Sequence, residues 1–289
     1  MLIGALEAGG TKMVCAVGSE KGEIREQISI PTNTPDETLP QIAEYFRKHR
    51  IEALGIGCFG PIDLRRESPT YGFITSTPKA AWRGCDIVGY FKKELSVAVG
   101  FDTDVNASLL GEAAWGAAKD LDSAIYITIG TGIGVGVMAE GRLLHGMLHP
   151  EAGHIMMLRH EKDAYEGKCP YHKCCFEGLA AGPALEERWG KKGAELAGKR
   201  EVWEMEAYYI AQAIYSYILT LSPQRIILGG GVMKQEILFS MIREEVLRLN
   251  KDYINTKEME KIEEYIVPAA LGGDQGIMGC IRLALEEMR

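Results

Sequence analysis

The sequence predicts an α/β fold built as two similar halves. Three observations carry that prediction. Strands and helices follow the same order twice, each half contains a glycine hairpin (residues 9–12 and 130–136), and a run of three glycines (229–231) joins a later strand to its helix. A chain of 289 residues exceeds one ordinary hydrophobic core, which suggests two domains or one large one.

The first half opens on the apolar strand Leu2-Ile3-Gly4-Ala5-Leu6, followed by strands at 13–17 and 23–30. The turn Gly9-Gly10-Thr11-Lys12 leaves backbone N–H groups open to an anion, with a hydroxyl and a cation beside them; a plain hairpin turn is the alternative. Thr34 is placed to cap a helix over 34–49, with Pro35 in its first turn. A strand of small apolar residues covers 53–58. The loop-rich stretch 63–84 follows, and irregular segments of that length often carry function. Within it Trp82 reads as a lid aromatic or as a core anchor.

An amphipathic helix over 87–94 and a strand over 97–101 lead to Asp102-Thr103-Asp104-Val105-Asn106, then a helix to about residue 115. A carboxylate between a strand's C-terminal end and a helix N-terminus lies where α/β folds place ligands. Asp and Asn are also preferred helix caps, so one of Asp102, Asp104 and Asn106 is expected to do only that.

The second half begins with a β-branched strand over 123–129. Gly130-Thr131-Gly132-Ile133-Gly134-Val135-Gly136 then turns back into a second strand, leaving one bare backbone face for phosphates. The pattern does not open a helix, so it is neither a P-loop nor a dinucleotide fingerprint. A helix starts near 180–184, and a long amphipathic helix over 202–221 stops at Pro223. A buried strand at 225–228 enters Gly229-Gly230-Gly231, where a flat ligand can approach the backbone before a helix over 235–249. A last strand over 262–268 and a closing helix over 275–288 complete the chain.

Between the hairpin and the long helix lies a metal-ligand pattern. Cys169, His172 and Cys175 follow a C-x2-H-x2-C spacing, and His154, in Pro150-Glu151-Ala152-Gly153-His154, is the fourth candidate ligand. Two thiolates and two neutral imidazoles suit four-coordinate Zn²⁺, in a site whose charges cancel. Cys174 is the spare, since a neighbour of Cys175 cannot point the same way. Glu151 and Glu177 flank the knuckle and suggest that it shapes a pocket.

Composition narrows the partners. The net charge of -8 argues against a general nucleic-acid or anionic-membrane surface. The apolar runs stop short of membrane-spanning length, and the first residues lack the marks of a signal peptide. Seven cysteines, three of them crowded in the knuckle, fit a reduced, cytoplasmic compartment better than a disulfide framework.

Two similar halves with glycine hairpins are the plan of actin- and hexokinase-like phosphotransferases. Over nearly its whole length the sequence resembles the ROK family of bacterial sugar kinases, most closely the zinc-containing fructokinase branch. The residues that carry the resemblance are Glu151-Ala152-Gly153-His154, the knuckle followed by Phe176-Glu177-Gly178, Asp104-Val105-Asn106-Ala107, and the stretch from Tyr71-Gly72-Phe73 through Thr77-Pro78-Lys79 to Trp82. The resemblance implies a two-lobed α/β, ribonuclease H-like fold with a cleft between lobes: 1–117, 118–274 carrying the knuckle 154–175, and a closing helix 275–289 returning to the first lobe.

It also implies roles. Asp104 would be the general base toward the sugar hydroxyl, with Asn106, Glu151, His154 and Glu177 binding sugar. Gly10, Thr11, Lys12, Thr131 and Gly132 would hold phosphates. Pro183, Gly230, Gly231, Val232, Met233 and Lys234 would line the adenine side. His154, Cys169, His172 and Cys175 would bind structural zinc, and Mg²⁺ would travel with ATP. The implied activity is transfer of the ATP γ-phosphate to fructose by a homodimer, with the 202–221 helix as interface or as core. The rivals are a kinase for glucose, mannose or N-acetylmannosamine, and a sugar-sensing regulator, which would carry a helix-turn-helix ahead of residue 7. Two departures stand out. Glu7 replaces an Asp that helps hold Mg²⁺ through water in many members, and Lys173-Cys174 replace smaller or acidic residues.

Overall fold

The structure is a computed structural model that describes residues 1–288. The chain divides into two compact units: 1–120 with 143–150 and 270–289, and 121–142 with 151–269. Each is built on a five-stranded sheet whose first three strands form an antiparallel meander and whose later strands add in parallel.

In the first unit, β1 (Ile3–Ala8), β2 (Lys12–Gly18) and β3 (Ile24–Pro31) precede α1 (Pro35–His49) and β4 (Ala53–Cys58). A small ribbon of β5 (Phe73–Ile74) and β6 (Cys85–Asp86) leads into α2 (Ile87–Leu95), β7 (Ala98–Thr103) and α3 (Asp104–Trp115). The sheet order is β3-β2-β1-β4-β7, with β1, β4 and β7 parallel. Alternation sets the two faces. Ile3 and Ala5 pack on one side with α3 and the C-terminal helix; Leu6 and Ala8 pack on the other with α1 and α2. β4 is buried along its whole length, as a parallel strand covered on both faces must be. Trp82 is 1% exposed and donates its indole N–H to the Asn33 carbonyl, so it is a core anchor.

In the second unit, β8 (Ala124–Ile129), β9 (Ile133–Ala139) and β10 (Arg142–Leu143) are followed by α4 (Phe176–Ala180), α5 (Gly182–Trp189), α6 (Arg200–Leu221), β11 (Ile226–Gly229) and α7 (Ile237–Asn250). Two single-turn helices, α8 (Lys257–Glu260) and α9 (Ile262–Tyr265), precede β12 (Ile266–Pro268). The order β10-β9-β8-β11-β12 repeats the plan of the first sheet. The α6 side chains Trp203, Ile210 and Ile214 are fully buried in the core over this sheet. Two expectations change here. Residues 262–265 are a helical turn, leaving three residues of strand, and residues 143–150 belong to the first unit, where Leu143 packs against its core and His149 accepts from Ile62 N–H.

The last helix, α10 (Gln275–Glu287), lies on the first sheet in backbone contact. A Cβ at Gly55 of β4 would stand 1.7 Å from the Cys280 carbonyl, and one at Gly279 would stand 1.6 Å from the Ala107 carbonyl. Main chain, not side chain, sets this spacing. Residue 289 of the expected closing helix lies outside the described residues. No helix among the described residues is long and apolar enough to cross a membrane.

The Ala107 backbone against Gly279 has no flexible end that can give way. Gly279→Ala is therefore expected to cost about 3 kcal/mol or more of stability. Urea unfolding measures this, and a wild-type midpoint would refute backbone contact at this helix.

Candidate active site and metal centre

Asp104 opens α3 directly after β7. The helix is capped by Thr103, whose hydroxyl accepts from Asn106 N–H at 3.1 Å, so the cap is none of the three residues expected. That leaves the Asp104 carboxylate at the helix N-terminus, where the backbone dipole favours an anion; its Oδ1 accepts from Val105 N–H at 2.9 Å. Asn106 is 1% exposed and donates its amide to Asp102 Oδ1 at 2.7 Å. In the same unit, Gly10, Thr11 and Lys12 form the turn between β1 and β2, closed by Gly9 N–H to the Lys12 carbonyl. Glu7, next to this turn, has its pKa raised by burial, lowered by Lys12 and raised again by Asp274.

In the second unit the knuckle assembles from two stretches. His154 ends a single 3-10 turn over Ala152–His154, and Cys175 sits at the N-terminus of α4. One donor atom each from His154, Cys169, His172 and Cys175 falls within 4.8 Å of all the others. Cys175 Sγ is 3.5 Å from His154 Nδ1; Cys169 Sγ is 3.8 Å from the same nitrogen and 3.7 Å from His172 Nδ1. Tetrahedral Zn²⁺, with Zn–S about 2.3 Å and Zn–N about 2.05 Å, puts S···N pairs about 3.5 Å apart. The donor set therefore fits such an ion, and Cys174 stands outside it. Burial pushes the Cys175 thiol up to about 12, so a metal must displace its proton.

Both imidazoles face the sulfurs through Nδ1. This turns His154 Nε2 outward, 3.9 Å from Glu177 Oε1. The other Glu177 oxygen accepts from Ile133 N–H at 3.0 Å, tying α4 to the first residue of β9. Gly153 packs on the same residue, where a Cβ would stand 2.0 Å from the Ile133 carbonyl. Glu151 faces the same carboxylate; its pKa is raised by burial and then by Glu177.

On the far side of that hairpin a pocket of about 510 Å³ opens. Thr131, Pro183, Gly231, Val232 and Lys234 line it, together with Gly130, Gly182 and Trp203. Gly182 N–H donates to the Gly130 carbonyl at 2.8 Å, seating the start of α5 on the turn. Gly230 shapes the wall from behind: its φ is +91°, and a Cβ there would stand 2.4 Å from the Ile129 carbonyl. Gly132 stands next to Glu177 instead, and Met233 is buried in the core and does not line the pocket. Leu185, Glu186, Lys192, Gly193, Ala194 and Gln235 also line the pocket and were not expected there. In sequence, residues 189–200 show only a polar run with Gly and Lys.

A duplicated meander-plus-parallel sheet, with glycine turns and a glycine-lined pocket, defines a protein of the actin- and hexokinase-like class. The ROK family profile matches residues 3–287, and the chain belongs to that family. A Bacillus subtilis (strain 168) protein is 53% identical over 289 residues, covering all of this chain and 97% of its own length. The fructokinase of Pediococcus pentosaceus is 45% identical over 289 residues, covering all of this chain and 99% of its own. Among solved structures, the ROK hexokinase of Thermus thermophilus superposes with a TM-score of 0.79 at 27% identity, covering 100% of this chain and 99% of its own.

Cys169→Ser removes one of two thiolates from the cluster. It is expected to weaken Zn²⁺ at least ~100-fold in competition with a chelating dye. Unchanged affinity would place the ion elsewhere.

Proposed function

We propose that this protein is an ATP-dependent fructokinase, converting ATP and D-fructose to ADP and D-fructose 6-phosphate. Full-length similarity to curated fructokinases carries this reading, with 44% identity to the Streptococcus mutans enzyme adding to the Pediococcus match. The geometry supports it with one carboxylate at a helix N-terminus and one glycine-walled pocket of nucleotide size.

In this reading Asp104 accepts the proton of the attacking sugar hydroxyl. The transfer needs little covalent help, so positioning and charge dominate. Glu151, Glu177 and His154 Nε2 bind the remaining hydroxyls, and Asn106 acts through Asp102. Thr11, Lys12, Thr131 and the backbone of Gly10 and Gly132 hold phosphates. Pro183, Gly231, Val232 and Lys234 flank the base. Zn²⁺ on the four knuckle ligands is structural; their convergence supports this, and the ion would fix the tautomer and orientation of His154. Glu7 and Asp274 would hold the Mg²⁺ that comes with ATP, and the ion would supply charge neutralisation at the phosphates. Family membership supports a cytoplasmic homodimer as the working form.

A coupled ATP assay across fructose, glucose, mannose and N-acetylmannosamine tests the substrate. Fructose is expected to have the highest kcat/KM; another hexose leading by tenfold would move the enzyme to a different branch of the family. Asp104→Asn is expected to lower kcat by about 10²–10⁴-fold while sugar still binds by calorimetry. Near-normal turnover would remove Asp104 from the role.

A further inference from the structure

Residues 143–150 leave the second unit's sequence, join the first unit, and end immediately before Glu151. Nothing apolar holds this stretch at its middle: Met147 is 92% exposed and Leu144 is exposed as well. What holds its middle is polar, while Leu143 at its start packs on the first unit's core. His145 Nε2 lies 2.8 Å from Asp102 Oδ2, and the Asp102 side chain is only 4% exposed. The other Asp102 oxygen accepts from Thr103 N–H and from the Asn106 amide, both at 2.7 Å. Both oxygens of one buried carboxylate are thus spent on the turn that carries Asp104 and on the segment that precedes Glu151.

We propose that the His145–Asp102 pair is a clasp that seats residues 143–150 on the β7–α3 turn, making His145 a positioning residue for sugar binding. The proposal rests on the kinase reading above for its activity test. Burial of Asp102 means that losing the partner leaves a desolvated carboxylate with one lone hydrogen-bonding side unfilled, which is costly.

The charged and titratable groups facing His145 are few. Asp102 lies on β7 and His149 on the same segment; Asp63, Arg65, Arg66 and Glu67 line the adjoining pocket of about 240 Å³. Asp63 is taken up by Arg65, Ser68 and Thr70, and Arg66 by Glu287. Asp102 is therefore the counter-ion. Its hydrogen bond raises the His145 pKa above 6.5, partial burial opposing. His149 is lowered, chiefly by burial, and accepts from Ile62 N–H. The sign is that of a base gaining a partner on folding. The clasp is complete below pH 6.5 and weakens as pH rises through the raised value.

The test pairs two variants with two readouts. His145→Ala is expected to raise the fructose KM about tenfold with kcat within about threefold, and to speed hydrogen exchange in peptides covering 143–150. His145→Gln keeps a donor without a titrating charge. It is expected to give a KM near wild type at pH 6 and to abolish the wild-type rise in KM and in exchange between pH 6 and 9. Unchanged exchange in His145→Ala overturns the clasp even if KM rises, because a direct sugar contact would do that alone. A pH dependence that persists in His145→Gln also overturns it. If the wild-type enzyme turns over a different hexose, that sugar replaces fructose, and the exchange arm is unaffected by which sugar it is.

Discussion

Main chain resting on main chain, with no side chain between, is the constraint on which the architecture depends. In the first unit α10 meets β4 at Gly55 and α3 at Gly279, so carbonyl groups occupy the space a methyl would need. This contact returns the last helix to a sheet made by the first hundred residues, and it buries Cys280 and Ile281 against Ile3 and Ala5. It also backs the turn that presents Asp104. Gly57 lies under Ala107, where a Cβ would stand 2.8 Å from the Ala107 methyl group. Interiors packed this tightly pass a small displacement on rather than absorb it.

The second unit uses the same device for its site. Gly153 on the Ile133 carbonyl and Gly230 on the Ile129 carbonyl bracket the two ends of one hairpin. Between these contacts the turn 130–132 is held by the Glu177 carboxylate on one side and by Gly182 on the other. Glu177 in turn faces the outer nitrogen of His154, whose inner nitrogen faces the sulfurs. A candidate metal-ligand cluster, a candidate sugar ligand and a candidate nucleotide pocket are thereby consecutive links of one short chain of contacts. An ion held by these four donors would fix the His154 ring, and through it the Glu177 carboxylate and the turn that Glu177 holds.

Much of this was legible in residue order because the signals are local. The buried run at 53–58 and the amphipathic runs at 35–49 and 275–287 each carry their own period, and they form β4, α1 and α10. The knuckle's three candidate ligands span seven residues, so spacing alone brings sulfur, nitrogen and sulfur close together; the spacing favours Cys175 over Cys174, and it is the Cys175 sulfur, at the α4 N-terminus, that lies with the other three donors. The lining of the 510 Å³ pocket was only partly legible. Thr131, Pro183 and Gly231 announce themselves as turn residues, whereas Lys192 and Ala194 reach the pocket only through the path of the loop before α6.

What residue order determined, then, is the list of elements, their doubling, the family, and those groups whose partners lie within a turn of themselves. Tertiary structure decided the pairings across distance: Asp102 with His145, Glu177 with Ile133, Trp82 with Asn33, Met233 turned into the core, and residues 143–150 assigned to the first unit. The physical reason is that periodicity and capping are set by neighbours along the chain. Which buried polar group finds which partner depends instead on where whole elements come to rest, and that is fixed by packing contacts dozens of residues apart.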